Sequence, residues 1–141
     1  MKQKKSVVIK WHNFSYWAYT HHLKGLAFFV YHLIQLLFGC SIPPTVVFEK
    51  GADIAHYHGI VIHKSTHIGA GTVVYQNVTI GGRNGVTGIT VGKNCIIGAG
   101  AVLIGNLTIG DNVKIGANAV VLQSVPDNCT VVGVPGKIVR G

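Results

Sequence analysis

From residue 91 onward an aliphatic residue recurs at every sixth position: Val91, Ile97, Leu103, Ile109, Ile115 and Val121. The same spacing runs upstream through Ile62, Ile68, Val74 and Ile80, and again through Phe48 and Ile54. Glycine directly follows the aliphatic residue at Gly69, Gly81, Gly92, Gly98, Gly110 and Gly116, and a small or apolar residue stands four places after it, as at Cys95, Ala101, Leu107, Val113 and Ala119. Neither an amphipathic helix nor a two-faced strand has a period of six. A triangular coil does: each hexad is a short strand and a corner, three hexads close one turn, and the aliphatic residue points into the prism. Glycine at the corners is expected to supply backbone angles that a Cβ forbids. The expected fold is an all-β solenoid of about four coils, each supported by its neighbours.

Two interruptions break the count. Ile54 to Ile62 is two residues too long, so Ala55-His56-Tyr57-His58 is expected to bulge from the prism. Between Ile80 and Val91 the stretch Gly82-Arg83-Asn84-Gly85-Val86-Thr87-Gly88 leaves it as a loop. A regular solenoid gains nothing from insertions, so these two places are candidates for function.

Residues 1–40 follow another pattern, and the chain divides into this segment and the solenoid of residues 41–141. Trp11, Phe14, Tyr16, Trp17 and Tyr19 precede an apolar run from Gly25 to Gly39, and Lys2, Lys4, Lys5, Lys10 and Lys24 carry the segment's charge. The run is shorter than the roughly 18 apolar residues of a membrane span, and His32 and Gln35 interrupt it. Leu37-Phe38-Gly39-Cys40 faintly matches a lipoprotein cleavage site, but Phe38 is bulky where small residues are usual. One or two short helices are expected. They either pack on the solenoid or lie on a membrane surface with lysines toward anionic headgroups.

Composition narrows the chemistry. The 141 residues suit one domain, and the formal net charge is +8, from 12 Lys and Arg against 4 Asp and Glu. With only Glu49, Asp53, Asp111 and Asp127 available, paired-carboxylate catalysis has almost nothing to draw on. Histidine, whose ordinary pKa is about 6.5, is the better candidate for a base. Three cysteines without CxxC spacing (Cys40, Cys95, Cys129) point to reduced thiols and a cytoplasmic protein.

The segments Ala55–His63, Val78-Thr79-Ile80-Gly81-Gly82, Ile97–Ala101, Ile109–Ala117 and the tail Val125–Asn128 with Val132–Val139 together resemble the hexapeptide-repeat acyltransferases, in particular the serine acetyltransferase-like group that includes polysaccharide O-acetyltransferases. The resemblance covers residues 41–141. It implies a left-handed parallel β-helix, a homotrimer, and acetyl-CoA held between neighbouring prisms with no metal. It also implies that a histidine base, His56 by position, takes the proton of an acceptor hydroxyl, with His58 as a second polar group in the bulge. It maps the thioester and pantetheine contacts onto Gly81, Gly82, Ala99 and Ala117, and the nucleotide phosphates onto Lys114, Lys137 and Arg140.

Within the group, the serine-specific members place an acidic residue before the histidine, another fifteen residues upstream, and an Arg-His pair in the loop after Gly-Gly. Here Ala55, Ser41, and Thr87 with Gly88 stand in those places, and a short basic, aromatic segment replaces the helical domain. These departures predict a sugar hydroxyl of a glycan or glycan precursor as acceptor, with serine O-acetylation for cysteine biosynthesis as the alternative. Two other classes fit less well. All eight histidines lie at or before His67, and His63 and His67 are four apart, which does not suit a zinc triad from successive coils. The basic charge suggests nucleic acid, but the lysines are interleaved with an apolar helix rather than set on a flat stacking surface, so no nucleic-acid partner is expected.

Overall fold

The computed structural model describes residues 5–141. Lys2 and Lys4 lie outside the described residues. Two helices lead the chain, α1 (Val7–Thr20) and α2 (Lys24–Phe38). Ser6 caps α1 by accepting the Val8 N–H at 3.2 Å, and α2 ends on Gly39 in the left-handed conformation (φ +66°), which glycine adopts without a Cβ clash.

The solenoid then winds through β1 (Val47–Phe48), β2 (Asp53–Ile54) and β3 (Val61–Ile62) in its first coil, and β4 (His67–Ile68), β5 (Val73–Val74) and β6 (Thr79–Gly81) in its second. The third holds β7 (Ile89–Val91), β8 (Ile96–Ile97) and β9 (Val102–Ile104), and the fourth β10 (Leu107–Ile109), β11 (Lys114–Ile115) and β12 (Val120–Val121). β13 (Thr130–Val132) begins another turn, and β14 (Lys137–Arg140) folds back antiparallel on it. Stacking the coils makes three parallel sheets: sheet A (β3, β6, β9, β12), sheet B (β1, β4, β7, β10) and sheet C (β2, β5, β8, β11, β13, closed by β14). This is the β-solenoid that the hexads predict and the left-handed parallel β-helix that the resemblance implies.

The aliphatic series from Ile54 to Val121 is buried throughout, while Phe48 at its start is only partly covered. The core continues from the prism into the helices through Ile42, Ile34, Val30, Ile9 and Val8. The helices therefore pack on the solenoid. His12, buried, meets the Val46 carbonyl at 2.8 Å through Nε2 and stands edge-on to Phe48, and the Asp53 carboxylate accepts the Ser6 N–H at 3.1 Å.

Glycine's role at the corners differs from expectation. Most of the glycines that follow the aliphatic residue, Gly81 excepted, serve close approach between coils: a Cβ on Gly98 would come within 2.7 Å of the Ile115 carbonyl oxygen. The left-handed angle falls two residues later, on Gly71 and Gly100 or on Asn94, Asn112 and Asn118. Asparagine tolerates that conformation better than most residues with a side chain. The three cysteines are buried and free, and burial pushes the Cys40 thiol up to about 11, which keeps it protonated and unreactive.

Candidate active site

The two interruptions lie at opposite edges of sheet A. The corner between sheets C and A forms a column: the bulge of the first coil, then residues 75–78, 98–101 and 116–119 of the coils above. Backbone bonds stack it. The Asn77 N–H donates to the His58 carbonyl at 2.9 Å, Gly100 to Gln76 at 2.9 Å, and Asn118 to Ala99 at 2.8 Å. His56, His58, Ala99 and Ala117 thus share one edge of the prism. At roughly 4.8 Å per coil, Ala117 sits about 14 Å above the bulge.

Within the bulge, side chains alternate. Tyr57 turns inward, edge-on to Phe38 with ring centroids 5.3 Å apart, and Phe38 in turn meets Trp11 at 5.7 Å. His56 and His58 are consequently held out in solvent, His58 against the Tyr57 ring (4.6 Å) and His56 near Tyr75 (6.2 Å). Tyr57 is the anchor of the bulge, a residue that spacing alone does not single out. Among the described residues no hydrogen bond reaches the His56 ring. Ser41 is committed elsewhere: its Oγ bonds Tyr31 Oη at 2.9 Å and accepts from Gln35 Nε2 at 3.3 Å, both on α2.

Gly81 and Gly82 stand at the other edge, between sheets A and B, so one chain does not bring them to His56. They differ in kind. A Cβ on Gly81 would meet nothing within 4 Å, whereas on Gly82 it would lie 2.5 Å from Thr87 Cγ2. Glycine at 82 lets the loop pack closely against Thr87 and Val86, and space is open at 81. The loop beyond is a tight hairpin, with Arg83 and Val86 exchanging backbone bonds of 2.8 and 2.9 Å around Asn84-Gly85, both at positive φ.

The cations assemble on sheet C. Register sets Lys114 beside Thr130 and Thr130 beside Arg140, while Lys137 pairs with Val132. All three basic side chains are exposed. Lys137 also lines a cleft of about 400 Å³ with Leu122, Gln123, Ser124 and Pro135 at the C-terminal end of the prism. Among the described residues no group of three His, Cys, Asp or Glu side chains is placed to hold a metal.

Residues 88–123 match the bacterial transferase hexapeptide model of six repeats. The serine acetyltransferase of Synechococcus elongatus is 40% identical over 131 residues, covering 91% of this chain and 54% of its own length. This chain belongs to the hexapeptide-repeat transferases. Among solved structures, the serine acetyltransferase of Neisseria gonorrhoeae in complex with serine superposes on the hexapeptide-repeat chain with a TM-score of 0.88 at 34% identity, covering 94% of this chain and 55% of that one. The enzyme of Brucella abortus in complex with coenzyme A gives 0.89 at 31% identity, covering 94% and 54%. The chain spans about half the length of the relatives it matches.

These matches overturn the glycan acceptor. That expectation treated the first 40 residues as a replacement for the helical part of the serine enzymes. The superposition extends over all but a few per cent of the chain, a remainder shorter than either α1 or α2, so the helical lead-in is shared architecture. The departures at Ala55 and Ser41 occur inside a scaffold that otherwise follows the serine acetyltransferases.

Proposed function

We propose that this hexapeptide-repeat transferase moves the acetyl group of acetyl-CoA onto the hydroxyl of L-serine, with His56 as the general base. One observation carries the reading: His56 stands in solvent on an anchored two-residue insertion, at the foot of a corner lined above by Ala99 and Ala117. Serine acetyltransferases that match along nearly the whole chain support the choice of acceptor.

The imidazole of His56 takes the serine hydroxyl proton as the oxygen attacks the thioester carbonyl. The tetrahedral intermediate collapses with loss of the CoA thiolate, which recovers the proton from His56. O-acetylserine and CoA leave, and the base is regenerated. Small side chains at Ala99 and Ala117 leave a shallow track for the pantetheine arm, and Lys114, Lys137 and Arg140 offer donors to phosphates beside its upper end. His58 adds a polar group beside the acceptor.

The working unit is a homotrimer in this reading. Sheet A presents Val61, Thr79, Val102 and Val120 outward in one row, with Ile104 beside them, an apolar surface suited to contact between copies. A threefold ring that sets the Gly81 edge of one copy against the His56 corner of the next reunites the two halves of the site. The test is thiol release from acetyl-CoA on addition of L-serine, with O-acetylserine identified as product. Serine-independent thiol release, or none from protein that binds coenzyme A, overturns the proposal. Mixing His56→Ala with Gly81→Trp chains restores activity if the site is shared between copies, and leaves both inactive if it is not.

A further inference from the structure

The helical hairpin carries a surface that the acetyl-transfer site does not use. On α2, Leu26, Phe29, Leu33, Leu36 and Leu37 recur at helical spacing on the side away from the bulge. Phe29 is 60% and Leu36 80% exposed. On α1, Lys10, Phe14, Trp17 and His21 form the solvent stripe, with the Phe14, Trp17 and His21 rings stacked in succession at 5.9 and 4.6 Å. A groove of about 310 Å³ joins the two stripes, lined by Lys10, Trp11 and Phe14 from one helix and Val30 from the other. Water-facing helices of folded proteins carry charges on such a stripe, and a connected run of exposed Leu and aromatic side chains marks a binding surface.

Charge identifies the occupant. Residues 1–48 contain five lysines and no Asp or Glu. Lys5, Lys10 and Lys24 are exposed around the hairpin. Two such hairpins face to face would bring lysines together with no carboxylate between them. An anionic lipid surface satisfies both halves of the pattern: acyl chains take the Leu and Phe side chains, phosphates take the ammonium groups, and Trp17 sits at the boundary. No helix among the described residues is long and apolar enough to cross a membrane, so the hairpin would lie in the interface plane. We propose that the outer face of the α1–α2 hairpin docks this protein peripherally on an anionic phospholipid membrane.

The test is flotation of the full chain with vesicles of phosphatidylcholine alone and of phosphatidylcholine mixed with phosphatidylglycerol. The expected result is preferential flotation with the anionic vesicles, weakened by salt. Replacing Lys10 or Lys24 by Gln should each reduce binding roughly fivefold. Phe29→Glu and Leu36→Glu should each reduce it at least tenfold, and Leu36→Gln by an intermediate amount. Because both side chains face solvent, thermal melts and sedimentation of the variants should match the wild type. Equal binding to both vesicle types, no flotation, or full binding by Phe29→Glu overturns the proposal. So does a change of oligomeric state in Phe29→Glu with vesicle binding retained, which would assign the face to contact between copies.

Discussion

Sheets A and B are built alike, with four parallel strands each and an inward row of aliphatic residues: Ile62, Ile80, Leu103 and Val121 in A, Ile68, Val91 and Ile109 in B after Phe48. Their outward rows diverge. Sheet A shows Val61, Thr79, Val102 and Val120, and sheet B shows Val47, His67, Thr90 and Thr108. Inward residues are dictated by the hexad, which is the same in both sheets. Outward residues are free of the fold and report what each face meets. Sheet A also has an interruption at each edge, the His56 bulge and the Gly81 loop, whereas sheet B carries a partly exposed Glu49–His67 hydrogen bond of 2.8 Å. The apolar face lies with the proposed site and the polar face with water.

The contrast breaks most visibly at the two histidines. His56→Ala should lower kcat by roughly 100- to 10,000-fold, the usual worth of a general base. His67→Ala on sheet B should leave kcat within twofold. A His56→Ala enzyme within a few-fold of wild type would remove sheet A's edge from the chemistry.

A charge placed on each face separates them next. Val102→Asp puts a carboxylate into the apolar row of sheet A. If copies meet there, desolvating it costs upward of about 3 kcal/mol per contact. The variant should sediment as a monomer, with activity lost in proportion. Thr90→Asp on sheet B meets only water and should sediment and turn over as wild type. Trimers formed by Val102→Asp would show that the contact lies elsewhere.

Glycines at equivalent hexad positions give a smaller and opposite pair of effects. A Cβ on Gly92, after β7 of sheet B, would fall 2.5 Å from the Gly110 carbonyl oxygen, so Gly92→Ala should cost about 1–3 kcal/mol of stability, read from denaturant unfolding. Gly81, after Ile80 in sheet A, has open space in the same place. Gly81→Ala should leave unfolding unchanged and raise KM for acetyl-CoA several-fold. Equal destabilisation by both would mean that Gly81 too is there for the fold.

How much of this the sequence discloses depends on whether a feature is local. The inward series from Ile54 to Val121 was legible because each position needs only its own hexad, and both interruptions showed as errors in the count. The role of each glycine was not, because it depends on which atoms of the next coil approach, and Gly81, Gly92 and Gly98 look identical in the chain. The resemblance named Lys114 and Arg140 but not their alignment in one row, which exists only because β14 turns back on β13. The insertion marks the bulge and the resemblance points to His56 within it, but the support of that histidine could not be read from the chain. That support comes from Tyr57 on Phe38, in a helix that belongs to no repeat.

The smallest effect belongs to sheet B alone, since the outward row of sheet A holds no ionisable group. The Glu49 carboxylate accepts a hydrogen bond from His67 Nε2 and another from the Ala70 N–H, both at 2.8 Å. The His67 bond first, and then the Ala70 amide, hold it below its ordinary value near 4.5. A carboxyl group with a depressed folded-state pKa contributes stability that is fully present above its unfolded value and disappears as pH falls through the folded one. The pair is partly exposed, so solvent screens the contribution and it stays small. Glu49→Gln should therefore lower the thermal midpoint slightly at neutral pH, with the difference from wild type shrinking to nothing once the medium is acid enough to protonate Glu49 in the folded state. Melts of both proteins across that range decide it. A difference that widens as the pH drops would mean that the carboxylate is destabilising where it stands, and that sheet B's polar face is tolerated by the fold rather than supporting it.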